Sequence, residues 1–387
     1  VYFIDDVNMP TPDKYGTQSA IELLRQQVDY GGFYDLKKLT LKTIENVQYM
    51  GCMNPTAGSF AIIDRMQRHF ATFACPFPDA EVLKTIYLSI LSGHLANFDP
   101  EVAKLAENIV GATLALHKDV ADSFLPTAVK FHYQWNLREL SAVMQGLCNS
   151  TRDDYETPML MVRLWLHEVS RVYGDRLVSL ADQKKYKDFA MEQAKKYFKD
   201  MSPTALTAEP LIFSHFAGGV GDKNYDKVGS FAQLTTLLEG ALAEYNETNA
   251  VMDLVLFEDA MRHVCRISRI IESPGGHGLL VGVGGSGKQS LSKLASFVSG
   301  YVTYQLVISA TYSVSDLKAD LQQMYRRCGV KGEGMAFLFT DSQITDERFL
   351  VYMNDLLSSG NIPGLFPPEE QDDIINAVRP AAKRSGV

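Results

Sequence analysis

The stretch Leu279-Leu280-Val281-Gly282-Val283-Gly284-Gly285-Ser286-Gly287-Lys288 decides the fold. Its apolar start predicts a buried strand, and GVGGSGK predicts a glycine-rich loop. Leu291, Leu294, Ala295 and Val298 then recur at helical spacing and predict a helix. Strand, loop and helix in that order make a phosphate cradle. Glycines let the backbone curl so that successive N–H groups face one anion. The helix start adds free N–H groups and a positive dipole end, and Lys288 adds a full charge that can reach terminal phosphates. The pattern predicts nucleoside triphosphate binding by Gly282, Gly284, Gly285, Ser286, Gly287 and Lys288. The alternative is an ordinary strand–turn–helix with flexible glycines. The match on both flanks argues against it.

The loop departs from the pattern GxxxxGK[ST] at one place. Gln289 stands where a Ser or Thr would ligate Mg²⁺. Ser290 is one residue on, and helical geometry turns it about 100° away. Binding through the backbone and Lys288 is expected to survive the change; metal coordination is what the change puts at risk.

Composition narrows the rest. The chain has 387 residues, enough for about two or three domains. The net charge is −9, with both signs mixed along the chain. No basic stripe or aromatic platform suggests nucleic acid. The longest apolar runs, such as Met335–Phe339, are too short to cross a bilayer. The five cysteines, Cys52, Cys75, Cys148, Cys265 and Cys328, are scattered without CxxC spacing, which reads as free thiols in a reducing compartment. The first residue is not Met, no signal peptide is visible, and both ends look cut from something longer.

Residues 1–78 read as α/β. Val1–Ile4 is expected as a core strand. A helix around Ser19–Val28 ends at Gly31-Gly32, and a second strand, Val47–Met53, ends at Asn54-Pro55. A helix near Phe60–Arg68 and a short strand Ala71–Ala74 follow. Residues 79–205 read as a helical bundle, with helices near 82–91, 101–121, 136–148, 158–178 and 181–199. Residues 206–387 return to α/β, with a helix near Ser230–Tyr245 and an apolar strand at Met335–Phe339. A weak repeat links Tyr2-Phe3-Ile4-Asp5 to Phe337-Leu338-Phe339-Thr340-Asp341. Each is an apolar strand running to an aspartate, then a polar loop, a helix, a glycine and an aromatic. The copies lie too far apart for a solenoid and suit tandem large modules.

The strand-end aspartates carry the next reading. Asp5 and Asp341 are placed to hold a Mg²⁺ ion through its water shell. The residue after such an aspartate can polarise the attacking water: Asp6 is a carboxylate, shorter than Glu, whereas Ser342 cannot act as a carboxylate base. A strand-end turn or helix cap is the other explanation of Asp5-Asp6. Asn54 can orient a water beside a γ-phosphate, or simply start an Asn-Pro turn. Arg65 and Arg68 can project to a neighbour's phosphate as fingers, or lie on a helix surface. Arg138 can reach a nucleotide from the bundle, or form a helix salt bridge. His167-Glu168 looks like part of a zinc motif, but no second histidine follows at the required spacing. A hydrogen-bonded core histidine is the better reading.

Taken in order, VYFIDDVNMP, RQQVDYGGFYD, IENVQYMGCMNPTAG, FHYQWNLREL, RLWLHEVSRVYGDRL and GLLVGVGGSGKQSLSKLA resemble the motor region of dynein heavy chains. The GVGGSGKQSL form and the MNP strand look most like the axonemal class. The resemblance covers essentially the whole chain. It implies AAA+ P-loop NTPase modules, a parallel sheet flanked by helices plus an α-helical lid, both modules incomplete. Residues 1–78 would be the later part of the third module's large domain, 79–205 its lid, and 206–387 the fourth module's large domain.

By the same resemblance, Asp5 and Asp6 match the third module's Walker B pair, Asn54 its sensor 1 and Arg138 its sensor 2. Arg68 matches the finger aimed at the preceding module. Gly282–Lys288 match the fourth module's Walker A, and Asp341 its Walker B aspartate. Gln289 and Ser342 together imply a fourth site that binds ATP or ADP with Mg²⁺ but hydrolyses poorly. The implied whole is a microtubule motor ATPase of the ciliary or flagellar axoneme. Its partners would be the other modules of the ring, microtubules through domains outside this chain, and dynein intermediate and light chains, with no nucleic acid or membrane. A cytoplasmic dynein, another AAA+ ring or a structural ring spacer without turnover are the alternatives.

Overall fold

A computed structural model describes residues 1–54, 61–384 and 386. They divide into two units, residues 1–78 and 79–387.

In the first unit, β1 (Tyr2–Ile4) leads to α1 (Ser19–Tyr30), then β2 (Gly32–Tyr34), β3 (Leu41–Thr43), β4 (Tyr49–Gly51) and the short α2 (Asp64–Gln67). β4 lies parallel to β1, with Tyr2 opposite Tyr49 and Ile4 opposite Gly51. α1 stops where Gly31 takes a positive φ of 71°, the left-handed cap that glycine adopts without penalty. β2 and β3 form an antiparallel hairpin that the apolar pattern does not announce. A Cβ at Gly32 would meet the Lys42 carbonyl oxygen at 2.2 Å, so only glycine lets these strands close.

Two expectations change here. β1 forms, but Tyr2 and Phe3 are each 63% exposed. A two-stranded sheet leaves their side chains without a covering layer in this unit. Ala71–Ala74 forms no strand, because no ladder partner lies beside it among the described residues. Phe60, expected to start a helix, lies outside the described residues.

The second unit opens with helices: α3 (Ala80–Leu95), α4 (Pro100–Ala103), α5 (Ala106–Ser123), α6 (Leu137–Leu147), α7 (Pro158–Val172), α8 (Leu180–Tyr197) and α9 (Pro203–Leu206). Their starts follow from short polar side chains that accept the orphan amides of the first turn. Asp79 accepts from the Val82 amide at 2.9 Å. Ser179 accepts from that of Asp182 at 3.1 Å. Asn136 and Glu139 make a reciprocal capping box. Inward faces carrying Leu91, Ile109, Leu116, Leu140, Leu147 and Trp165 form one core. The helix expected over 101–121 is two, α4 and α5. The one expected over 158–178 ends at Val172, before a 3-10 turn at Gly174–Arg176.

β5 (Phe213–Ser214) and β6 (Asp226–Lys227) then pair antiparallel. They precede α10 (Phe231–Thr248), α11 (Glu258–Ile271), α12 (Lys288–Val298), β7 (Val302–Gln305), α13 (Val314–Gly329), β8 (Met335–Leu338), α14 (Arg348–Ser359) and α15 (Pro368–Arg384). β7 and β8 are parallel, Val302 opposite Met335 and Gln305 opposite Leu338. α12 buries Leu291, Leu294, Ala295 and Val298 in a core shared with Val264 and Ile267 of α11.

The buried strand expected to run into GVGGSGK does not form. The segment is neither strand nor helix, with Leu279 91%, Val281 87% and Val283 79% exposed. Among the described residues β7 and β8 pair only with each other. Without a neighbouring strand to satisfy its amides, the segment stays outside the sheet. Among the described residues no helix is long and apolar enough to cross a membrane.

Candidate nucleotide-binding site

The loop before α12 has the backbone that its glycines predict. Gly285 and Gly287 both have φ of 75°, a region costly for other residues. A Cβ at Gly282 would press on Ser286 Oγ at 3.2 Å. Lys288 Nζ donates to the Gly282 carbonyl at 2.7 Å, the Val283 carbonyl at 2.8 Å and Ser286 Oγ at 3.3 Å. The ammonium is thus centred on the curl of the loop. No side chain caps the start of α12, so its first-turn amides remain available donors. Donor amides, a helix dipole and a fixed cation at one point suit a polyphosphate.

Gln289 is exposed, and its Oε1 receives only a long contact from Gln305 Nε2, at 3.5 Å. Ser290 is half-buried one position on. α12 packs against β7 and β8. Beyond β8 the chain reaches Asp341, which starts a 3-10 turn and is exposed. Sequence reasoning overlooked Gln343, which is buried. Its Nε2 donates to the Leu306 carbonyl at 2.7 Å, and its Oε1 accepts from the Thr340 amide at 2.8 Å. It ties the chain just past β8 to the chain just past β7 and so sets where Asp341 begins. Ser342 Oγ lies 3.0 Å from Thr340 Oγ1.

In the first unit, Asp5, Asp6 and Asn54 are brought to one end of a sheet. β1 and β4 are parallel neighbours, and the Cys52 amide donates to the Ile4 carbonyl at 2.9 Å. Asp5 and Asn54 therefore leave adjacent strands at the same end. Asn8 Nδ2 adds a bond to the Asn54 carbonyl at 3.2 Å. Asp6 has φ of 48°, left-handed backbone that aspartate tolerates better than most residues. Arg68 follows α2; its Nη2 donates to Asp29 at 3.3 Å. Arg65 lies on α2.

Arg138 occupies the first turn of α6, is exposed, and its guanidinium has no hydrogen-bond or ion-pair partner among the described residues. A cation at a helix N-terminus opposes the dipole at a cost of about 0.3–1 kcal/mol. Arg176 beside it is instead engaged with Glu139 at 2.8 Å and with the Trp135 ring.

His167 is a bonded core histidine. Nδ1 lies 3.2 Å from the Leu211 carbonyl, and Nε2 lies 3.0 Å from Arg266 Nη1. Burial, then the Arg266 charge, push its pKa well below the usual value. The neutral ring thus donates to Leu211 and accepts from Arg266. Its neighbour Glu168, also fully buried, is more consequential. Glu168 accepts from Tyr225 at 2.6 Å, from Arg171 at 2.9 Å and from Arg269 of α11 at 3.4 Å. A Cβ at Gly146 of α6 would collide with this carboxylate at 1.9 Å. The HEV triplet gives no sequence signal for this node, since its partners lie up to about a hundred residues away.

A glycine-built phosphate loop at a helix start, parallel strands running towards aspartates, and a helical block rich in capped helices define a P-loop nucleotide-binding protein of the AAA+ class. Residues 252–387 match the family model "P-loop containing dynein motor region D4". Residues 1–78 match "P-loop containing dynein motor region", and 109–208 match "AAA+ lid domain". The whole chain is 54% identical to the flagellar outer-arm dynein alpha chain of Chlamydomonas reinhardtii. It is 53% identical to the ciliary dynein beta chain of Tripneustes gratilla and 52% identical to human dynein axonemal heavy chain 17. It spans 9% of the length of each of these relatives. The chain belongs to the dynein heavy-chain motor family, and its relatives are axonemal.

Proposed function

We propose that this chain is the part of an axonemal dynein heavy chain that supplies the third module's Walker B strand and lid and the fourth module's phosphate loop. On this reading residues 1–78 belong to the third large domain, 79–205 to its lid, and 206–387 to the fourth large domain. The parent is a microtubule motor ATPase at the cytoskeleton of cilia or flagella. It works with the other modules of its ring, with microtubules through domains outside this chain, and with intermediate and light chains.

In the fourth module, Gly282, Gly284, Gly285, Ser286, Gly287 and Lys288 cradle the phosphates of ATP or ADP. The observation that carries this is Lys288, held by the Gly282 and Val283 carbonyls at the start of α12. Those residues fit the ligand, since a Cβ at Gly282 would crowd the loop. Asp341 would hold Mg²⁺ through water, with Gln289 and Ser290 beside the phosphates. Mg²⁺ neutralises phosphate charge when bound. Gln289 and Ser342 lack the hydroxyl ligand and the carboxylate base of an efficient site, so this site binds and hydrolyses slowly. Its contribution is regulatory. In the third module, Asp5 takes the metal role, and Asp6 and Asn54 orient water; Arg138 of the lid takes the sensor 2 role that its match in the family implies. Arg68 serves the preceding module's nucleotide.

The test uses the complete heavy-chain motor. Lys288→Ala is expected to abolish ATP retention at the fourth site, while Gln289→Thr with Ser342→Glu raises turnover there. No nucleotide bound at the fourth site of the intact ring, with Lys288→Ala causing no change, would leave the fourth module a structural spacer.

A further inference from the structure

Asp29 sits in the last turn of α1, at the negative end of the helix dipole, where a carboxylate is disfavoured. It gathers three nitrogen donors there. Arg25 Nη1 donates at 2.5 Å, His69 Nε2 at 2.9 Å and Arg68 Nη2 at 3.3 Å. Partial desolvation pushes the Asp29 carboxyl up, but the Arg25 hydrogen bond and the His69 and Arg68 contacts outweigh it and hold it below its ordinary value.

The three donors are not equivalent. Arg25 is shared with Glu22 at 2.6 Å and is bound within its own helix. His69 Nε2 also lies 3.4 Å from Arg68 Nε. One ring nitrogen cannot donate to Asp29 and accept from Arg68 together, and the bond to Asp29 is the shorter. Arg68 is therefore gripped by Nη2 alone. Its side chain is 64% exposed, whereas that of Asp29 is 14% exposed. One nitrogen of the guanidinium is held while most of the side chain is exposed, which leaves further donors for an anion.

We propose that Asp29 is a positioning residue for Arg68, holding it by one nitrogen so that its further donors meet the phosphate oxygens of a nucleotide bound by the adjoining module. This rests on the reading of Arg68 as a finger. The contact is long and exposed, so Arg68 exchanges its position readily. What Asp29 supplies is a bias in where the guanidinium waits.

The test is a double-variant cycle in the complete heavy-chain motor, with the phosphate-loop lysines of the other modules replaced so that only the preceding module retains nucleotide. The readout is the release rate of a fluorescent ATP analogue. Arg68→Ala is expected to speed release about tenfold, the worth of one charge-assisted bond. Asp29→Ala is expected to speed it about threefold, and the double variant no more than Arg68→Ala alone. Asp29→Asn keeps the shape and should behave like Asp29→Ala if the latter fails to assemble. Arg25→Ala, which removes the other main partner of Asp29, should leave release unchanged. Additive losses, equal losses in Arg25→Ala and Asp29→Ala, or no effect of Asp29→Ala beside a clear effect of Arg68→Ala would each overturn the positioning role. No effect of Arg68→Ala would overturn the finger reading itself.

Discussion

A single amide can decide where a strand-end carboxylate stands. Gln343 is the case in point. It is neutral, belongs to no motif and lies two residues past Asp341, yet it joins the Leu306 carbonyl to the Thr340 amide. Both partners are backbone groups at the ends of parallel strands, which need partners when buried. Gln343→Ala strips both bonds at once and should cost about 1–3 kcal/mol locally. The expected readouts are faster hydrogen exchange in Thr340–Gln343 and weaker Mg²⁺-dependent ATP retention at the fourth site. The Lys288 loop itself should remain intact, since its bonds are internal to the loop. Unchanged exchange in that turn would show that the backbone there holds without the side chain. Asp341 was legible because it ends an apolar run. Gln343 was not, because its meaning depends on a carbonyl 37 residues away.

At the scale of elements, what was legible is what is local. α3, α6, α7 and α8 were readable because each joins an apolar period to a capping side chain, with a proline at the first position in α7, whereas α5, which has no side-chain cap, was read as one helix with α4. The phosphate loop was readable for the same reason, since its glycines and Lys288 are consecutive. Strands were read less well. Leu279–Val283 is as apolar as any strand in the chain, yet apolarity does not supply the partner whose hydrogen bonds make a strand. The β2–β3 hairpin was missed because Gly32 read as a helix breaker, while its second use, admitting the Lys42 carbonyl, is a contact between strands. The Glu168 node is the least legible feature of all. α7 supplies Glu168 and Arg171, α11 supplies Arg269, and the loop between β5 and β6 supplies Tyr225. Burial pushes the Glu168 carboxyl up, but Arg171 and then Arg269 outweigh it, holding the pKa at about 2. Its unfolded value is about 4.3. A depressed carboxyl contributes stability that is complete above the unfolded value and is lost as pH falls through the folded one. Hydrogen exchange in α7 and α11 should therefore quicken between about pH 4.5 and pH 2, and Glu168→Gln should flatten that dependence. Arg269→Met, which leaves the carboxylate short of one partner, should destabilise this seam by about 3 kcal/mol at neutral pH. A pH profile identical in the wild type and Glu168→Gln would mean that other carboxylates set the acid limit.

For the whole molecule, family membership was readable from motif order alone, because six separated motifs in one sequence are hard to meet by chance. What the motifs do not convey is how little of each nucleotide site one chain segment encloses. Asp5, Asp6 and Asn54 follow two strands, β1 and β4, whose residues are mostly exposed. The fourth-module loop follows a segment whose valines face solvent. An apolar segment with unpaired amides is a template for pairing with another chain. A polypeptide of these 387 residues, produced by itself, is therefore expected to associate at micromolar concentration and to turn over ATP negligibly. The intact motor, in which the rest of the heavy chain would complete the sheets and a neighbouring module would supply a finger of the kind Arg68 supplies elsewhere, should do neither. Size-exclusion chromatography with a single-turnover ATP assay on both preparations checks this. Two outcomes of that comparison carry different meanings. A monomeric segment that still fails to hydrolyse would show that the exposed valines are covered within the chain, while leaving the shared-site reading intact. A segment that hydrolyses ATP with a rate abolished by Lys288→Ala would show that the fourth site is self-sufficient. It would then follow that neither Gln289 nor Ser342 limits turnover, and the regulatory role assigned to this module would have to be given up.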